Sequence, residues 1–290
     1  MHLHQHVKFL PLWVLCSMLD TFATGMMHLK FLNGHSAEAV ALSSQQTGAQ
    51  ALAAMRLTVP QPALVIIGGA SLMDADSLKR LQTVFNQVFA PLAEALSLTV
   101  LDGGTDAGVI HMMGQARHFV GGSFPLVGVV PQGKAKLPDD AAIASSVTDD
   151  SVTDDSRHDL EPHHTNFFLV PGDSWGSESP WLAEFASLVA QGQPALTILI
   201  NGGQVALTDL QANLAKERPA VVLAGSGRLA DTIATAMAAA DTDEADPDID
   251  PAIAELIRIH QPSGKLSVLD LALPVDQMRD RIQQYFTSVM

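Results

Sequence analysis

The feature that most constrains this chain is a repeated hand-over from a short apolar run to a glycine cluster. It occurs four times: "IIGGAS" (Ile66–Ser71), "LDGGTDAG" (Leu101–Gly108), "INGGQ" (Ile200–Gln204) and "AGSGR" (Ala224–Arg228). The apolar runs "ALVII", "LTVLD", "LVGVV", "NFFLV", "ALTILI" and "AVVLA" are short, continuous and rich in β-branched residues, as buried strands are. Between them lie stretches whose apolar residues recur three and four apart, and helices are expected over 74–96, 107–119, 180–190, 205–215 and 228–240. Strands that alternate with helices and show no polar face belong to a parallel sheet covered on both sides. Right-handed crossovers follow. The expected architecture is a Rossmann-like, doubly wound α/β domain over about residues 60–240.

The flanks read differently. Residues 1–60 are expected to be a tail and lead-in. They contain "FLPLWVLCSML", an apolar run of eleven, where a membrane-spanning helix needs roughly 20; its flanks make a poor signal-peptide cleavage site. A cytoplasmic setting is expected, with this segment the one feature against it. Residues 135–160 are expected to be a flexible acidic insertion containing the direct repeat "SVTDDSVTDD", residues 241–250 an acidic linker, and residues 251–290 a helical appendage.

Formal net charge is -15, but it is concentrated. Asp139 to Glu161 carries eight acids and one base, and Asp241 to Asp250 carries six acids and none. Outside them, 17 acids face 15 bases. Neither the near-neutral body nor the acidic segments suit the phosphate backbone of a nucleic acid, so none is expected as a partner. With a single cysteine, Cys16, no intrachain disulfide can form.

In a parallel sheet all strand C-termini share one edge, so the four glycine turns are expected to meet on one rim, where open α/β sheets take their ligands. Glycine lets backbone N–H groups approach a phosphate, and helix N-termini add partial positive charge. The candidate ligand-binding residues are Gly68, Gly69, Ala70 and Ser71; Gly103, Gly104, Thr105, Asp106, Gly108 and Val109; Asn201, Gly202 and Gly203; and Gly225, Ser226, Gly227, Arg228 and Asp231. No G-x-G-x-x-G followed by an acidic strand end is present, nor G-x-x-x-x-G-K-[ST], so a standard NAD site and a Walker NTPase are not expected.

Individual residues carry plainer readings as well. Asp102 suits a turn or a polar ligand contact equally. Asp106 suits the N-cap of the following helix, His111 a packing residue, and Asp231 a partner for Arg228 three residues earlier. Arg228 stands at a helix start, where a cation is unfavourable unless an anion arrives to meet it. His163 and His164 precede a strand; side chains of adjacent residues in extended chain point apart, so they are poor chelators of one metal, and no zinc site is expected.

In order along the chain, "IIGGAS", "LDGGTDAGVIHMMGQA", "LVGVVPQGK", "LEPHHTNFFLVPGDSWGSESPWLAEF", "LTILINGGQVALTDL" and "AVVLAGSGRLAD" resemble the SLOG superfamily. The resemblance is to its prokaryotic lysine-decarboxylase-like (LSDAT) branch, similar to the N-terminal cytosolic homology region of melastatin-type TRP channels, and covers about residues 63–240. It implies a Rossmannoid fold and a site for a nucleotide derivative such as an ADP-ribose-like molecule, in bacterial sensors sometimes tied to a membrane-associated effector. It also adds His163 or His164 as a hydrogen-bond partner for a ribose or phosphate. Related phosphoribohydrolases carry P-G-G-x-G-T-x-x-E. Here Gly202-Gly203 remain, Asn201 replaces the proline, and the nearest downstream carboxylate, Asp209, is taken to be out of register. Binding of a nucleotide-type ligand is therefore expected ahead of N-glycosidic hydrolysis. No lysine is marked out for decarboxylation, and no resident cofactor is implied.

Overall fold

A computed structural model of the protein describes residues 25–138, 157–240 and 249–287. The elements run β1 (Met26–Lys30), β2 (Ser36–Ala41), α1 (Gly48–Met55), β3 (Ala63–Gly68) and α2 (Ala75–Val84), which continues through a π-helical turn (Phe85–Phe89) into α3 (Ala90–Ala95). Next come β4 (Thr99–Asp102), α4 (Gly108–Phe119), β5 (Leu126–Pro131), the two-residue pair β6 (Ala135–Lys136) and β7 (His158–Asp159), β8 (Asn166–Val170) and α5 (Ser179–Ala190). The chain ends with β9 (Ala195–Ile200), α6 (Gln204–Ala215), β10 (Ala220–Ala224), α7 (Arg228–Ala240), α8 (Pro251–His260), β11 (Leu266–Asp270) and α9 (Val275–Thr287).

Nine strands form one sheet in the order β1-β2-β8-β5-β4-β3-β9-β10-β11. Only the β1–β2 pair is antiparallel. From β3 the chain winds outward through β4, β5 and β8, then returns to β9 on the other side of β3. The switch point of the doubly wound sheet therefore lies between β3 and β9, and ligands of open α/β sheets bind outside the strand ends there. One core lies between the sheet and α1, α5, α6, α7 and α8, centred on Phe168, Phe185 and Leu210. The other lies beneath α2, α3, α4 and α9, centred on Phe85, Phe89 and Met113. β3, β4, β5 and β8 are buried almost throughout because helices cover both faces.

The flanks correct the expectation. Within 1–60, residues 26–41 form a hairpin that continues the sheet beyond β8, with Glu38 opposite Asn166. Leu29, Ala37 and Ala39 fill a third apolar cluster with Phe167 and Leu169. The hairpin turn carries Asn33-Gly34, a strong short-range hairpin signal, and α1 opens with a capping box between Thr47 and Gln50. Residues 251–290 are not helical alone, since β11 pairs in parallel with β10 along its whole length. Leu160 and Glu161, at the end of the acidic segment, are buried. The bulk of that segment (139–156), most of the acidic linker (241–248) and the first 24 residues lie outside the described residues. Among the described residues no helix is long and apolar enough to cross a membrane.

Candidate functional site

The turns after β3 and β4 flank a cavity of about 280 Å³ at the switch point, just below the roughly 300–1,000 Å³ of most ligand pockets. Gly68, Gly69, Ala70 and Ser71 line it from β3; Gly103, Thr105 and Gly108 line it from β4 and the start of α4. Ile66, Ile67, Ile110, Leu182 and Val205 supply apolar wall, and His158, Trp175, Glu178 and Asp209 supply polar or aromatic groups. Two helices present unfilled N-termini to this space. Neither Ala107, the N-cap of α4, nor Gly203, the N-cap of α6, makes a side-chain capping bond. The amides of Gly108, Val109, Gln204 and Val205 have no hydrogen-bond partner among the described residues, as the first turn of an uncapped helix leaves them.

The glycines divide by role. A Cβ on Gly69 would meet nothing within 4 Å, whereas one on Gly68, at φ +122°, would lie 1.8 Å from the Ile200 carbonyl oxygen. Gly104, at φ +68°, is buried away from the cavity, and a Cβ there would meet Val130 Cγ2 at 2.6 Å. Gly104 is thus a packing glycine. Its amide donates to Asp102 Oδ1 at 2.8 Å, which gives Asp102 its turn role. Val109 belongs to the core.

Asn201 braces the rim. Its Nδ2 donates to Ser226 O at 2.7 Å and Ser71 O at 3.1 Å, and its backbone N–H donates to Ser226 Oγ at 2.7 Å. Asn201 and Ser226 are buried by these bonds. Gly202, Gly203, Gly225, Gly227 and Arg228 lie beside the cavity on the β9 and β10 turns, not in its lining. Asp231 does not pair with Arg228; its Oδ1 accepts from the Gly225 amide at 2.7 Å.

Two carboxyls in the lining were not among the expected site residues. Burial pushes Asp209 up to about 7, with the nearby Ser179 hydroxyl opposing and Glu178 adding to the rise. Asp209 Oδ1 is buried with no hydrogen-bond partner among the described residues. Burial also raises Glu178, although its carboxylate accepts from the Gly176 amide at 2.7 Å. Asp209 is also in register after all: counted from Asn201 it is the ninth residue, where P-G-G-x-G-T-x-x-E has its glutamate. Perturbed acids facing a cavity mark a candidate for chemistry. Trp175 and Glu178 lie in "VPGDSWGSES", whose Gly/Ser punctuation after a strand was the sequence signal for them.

The remaining expectations resolve below the rim. Asp106 is not a cap; its Oδ1 lies 2.5 Å from Nδ1 of His111, and both are exposed, so His111 is not a packing residue. His163 and His164 sit in a turn before β8, not in extended chain, and do not point apart. Both Nδ1 atoms face Glu161, at 2.6 Å from His163 and 2.9 Å from His164. His164 Nε2 lies 2.9 Å from Asp102 Oδ1. Burial alone would lower the His164 ring, but Asp102 and Glu161 outweigh it and raise its pKa to about 9. His164 is thus a buried cation between two carboxylates, with no nitrogen left for a ligand. His163 instead meets His35 and His118, which brings three imidazoles together.

These features define a class: a doubly wound α/β domain with a small, mostly apolar cavity at its switch point, bordered by the first turns of two uncapped helices. Residues 61–278 match the prokaryotic LSDAT family, described as "SLOG in TRPM, prokaryote", and the chain belongs to that family. Among solved structures, the X-ray structure of TM1055, a Northeast Structural Genomics Consortium target, is similar at 15% identity and a TM-score of 0.43, over 77% of this chain and 99% of that one.

Proposed function

We propose that the cavity binds the phosphate-bearing part of a nucleotide derivative and that the protein acts as a ligand sensor. The observation that carries this is the convergence of two uncapped helix N-termini, α4 and α6, on one cavity beside the open Gly69. Such N-termini take anions through free amides and the helix dipole. Trp175 and the isoleucines offer apolar surface to a base or ribose, and Arg228, next to Gly203, supplies positive charge at the edge. The cavity's size favours a mononucleotide or one end of a larger molecule such as an ADP-ribose-like ligand. A thermal-shift screen over nucleoside monophosphates, diphosphates and ADP-ribose tests it: a ligand at 100 times its Kd should add about 2.7 kcal/mol. No shift with any of them would defeat the reading.

Asp209 and Glu178 favour a second reading, hydrolysis of an N-glycosidic bond in the same cavity. Water would attack the ribose C1′ as the base leaves; one carboxylate would take the water proton and one carboxylic acid would protonate the base. Incubation with nucleoside monophosphates and chromatography for free base separates the two readings. A membrane-associated effector downstream of the sensor and a cytoplasmic setting are part of the proposal.

A further inference from the structure

We propose that His35, His118 and His163 form a binding site for a zinc-class divalent cation that staples the N-terminal hairpin to the family domain. The three residues come from three separate places: the β1–β2 turn, the last turn of α4 and the turn before β8. Their ring centroids lie 5.6, 5.0 and 4.9 Å apart, and one nitrogen from each lies within 4.8 Å of the others. A tetrahedral zinc held by nitrogens at about 2.0–2.1 Å needs them roughly 3.3 Å apart. Small rotations of His35 and His118, both solvent-accessible, would close that gap.

The buried member is already oriented. His163 Nδ1 faces Glu161 Oε1 at 2.6 Å, which leaves Nε2 as its free nitrogen. Glu161 is fixed by His164, and His164 by Asp102. A carboxylate behind a ligand histidine sets its tautomer and ring orientation, as in carboxylate–histidine–zinc sites. The ring nitrogens of His35 and His118 make no hydrogen bond to the described residues, so both are free to turn. Arg117 stands nearby, where Nε donates to Phe124 O at 2.9 Å and Nη1 to His163 O at 3.2 Å; its positive charge acts against a cation here, and the Glu161 carboxylate acts for one. Three imidazoles with no oxygen ligand suit zinc, cobalt or nickel rather than magnesium or calcium. With His35 and His118 exposed, water would complete the tetrahedron. His118 and His163 lie inside the stretch that matches the family, and His35 lies outside it. A cation here would therefore fasten an addition of this chain to the domain. Apart from the cation, the hairpin is joined by the β2–β8 ladder, by the small cluster around Leu29 and by Val40, which belongs to the core shared with α1 and α5.

The test uses the full, untagged chain stripped with a chelator. Zinc chloride is titrated by calorimetry, and cobalt uptake is followed by visible absorption, where a tetrahedral site gives strong bands. His118→Ala and His35→Gln are measured beside the native chain. Both side chains are solvent-accessible and neither lines the cavity, and melting in chelator checks that both variants fold. The expected result is one zinc per chain at this site, with affinity weakened at least about 100-fold in each variant and the cobalt bands lost. His2, His4 and His6 give the chain a second set of imidazoles. Binding that is unchanged in both variants would assign the metal to those residues and overturn the proposal, as would no uptake by the native chain.

Discussion

His164 Nε2 lies 2.9 Å from Asp102 Oδ1, and neither side chain reaches solvent. The contact joins the end of β4 to the turn before β8, and Glu161 on the other side of the ring completes a buried carboxylate–imidazolium–carboxylate row. Removing the central cation leaves two buried carboxylates facing each other. Breaking a buried pair in this way costs about 3–5 kcal/mol, and each kcal/mol moves the Tm of a domain this size by roughly 2–4 °C. His164→Ala should therefore lower the Tm by about 6–20 °C. A loss under about 3 °C would show that the row does not hold the two strands.

The fold was legible where the sequence repeats a strong pattern. β3, β4, β5, β8, β9 and β10 are continuous apolar runs because both faces are covered, and nothing competes with that signal; the two-residue strands β6 (AK) and β7 (HD) carry no such run and fall inside the segment expected to be a flexible insertion. β1, β2 and β11 are edge or near-edge strands, half covered, and their mixed residues (SAEAVA, LSVLD) hide among polar neighbours. The glycine rim was legible as a place but not as a division of labour. Gly69 and Gly104 look alike in sequence, and only their neighbours in space distinguish an open approach from a packing contact. The three-histidine cluster was invisible because residues 35, 118 and 163 meet only through the tertiary fold.

That difference between glycines is measurable. Gly69→Ala places a methyl in empty cavity space at an ordinary φ, so Tm should hold within about 2 °C while nucleotide affinity falls at least about tenfold. Gly104→Ala meets Val130 and Gly128 at a left-handed φ, so Tm should fall by several degrees. Equal losses of stability in both would mean that the β3 turn, too, is only packing.

Asp209 gives the pH dependence. Its folded pKa is raised to about 7, above the unfolded value near 3.9. The folded state thus favours the protonated acid. The stability this contributes is complete below about pH 4 and is lost as pH rises through 7. Asp209→Asn should remove that loss, raising Tm by several degrees at pH 8 and flattening the profile between pH 4 and 7. If the cavity hydrolyses nucleotides, the same variant should lose activity while gaining stability. A variant less stable than the native chain at pH 8 would contradict a buried ionised Asp209.

Arg228 is the sharpest test of the phosphate reading. It is exposed, in the left-handed region at φ +49°, with no ion-pair partner among the described residues. A Cβ built on Gly203 would lie 2.8 Å from Arg228 Nη2, so the guanidinium sits over the uncapped N-terminus of α6. A cation against the positive end of a helix dipole is unfavourable by itself, and the left-handed backbone adds a cost of order 1 kcal/mol. An anion between the guanidinium and the free amides of Gln204 and Val205 would reverse the electrostatic sign. Hydrogen bonds to charged groups contribute about 1.5–3 kcal/mol. Arg228→Ala should therefore weaken the best nucleotide ligand about 10- to 100-fold by calorimetry, and leave the unliganded Tm equal or slightly higher because the repulsion is gone. Arg228→Lys should recover only part of the affinity, since a point charge replaces a planar fork. Unchanged affinity in a folded Arg228→Ala chain would remove the phosphate from this edge of the rim.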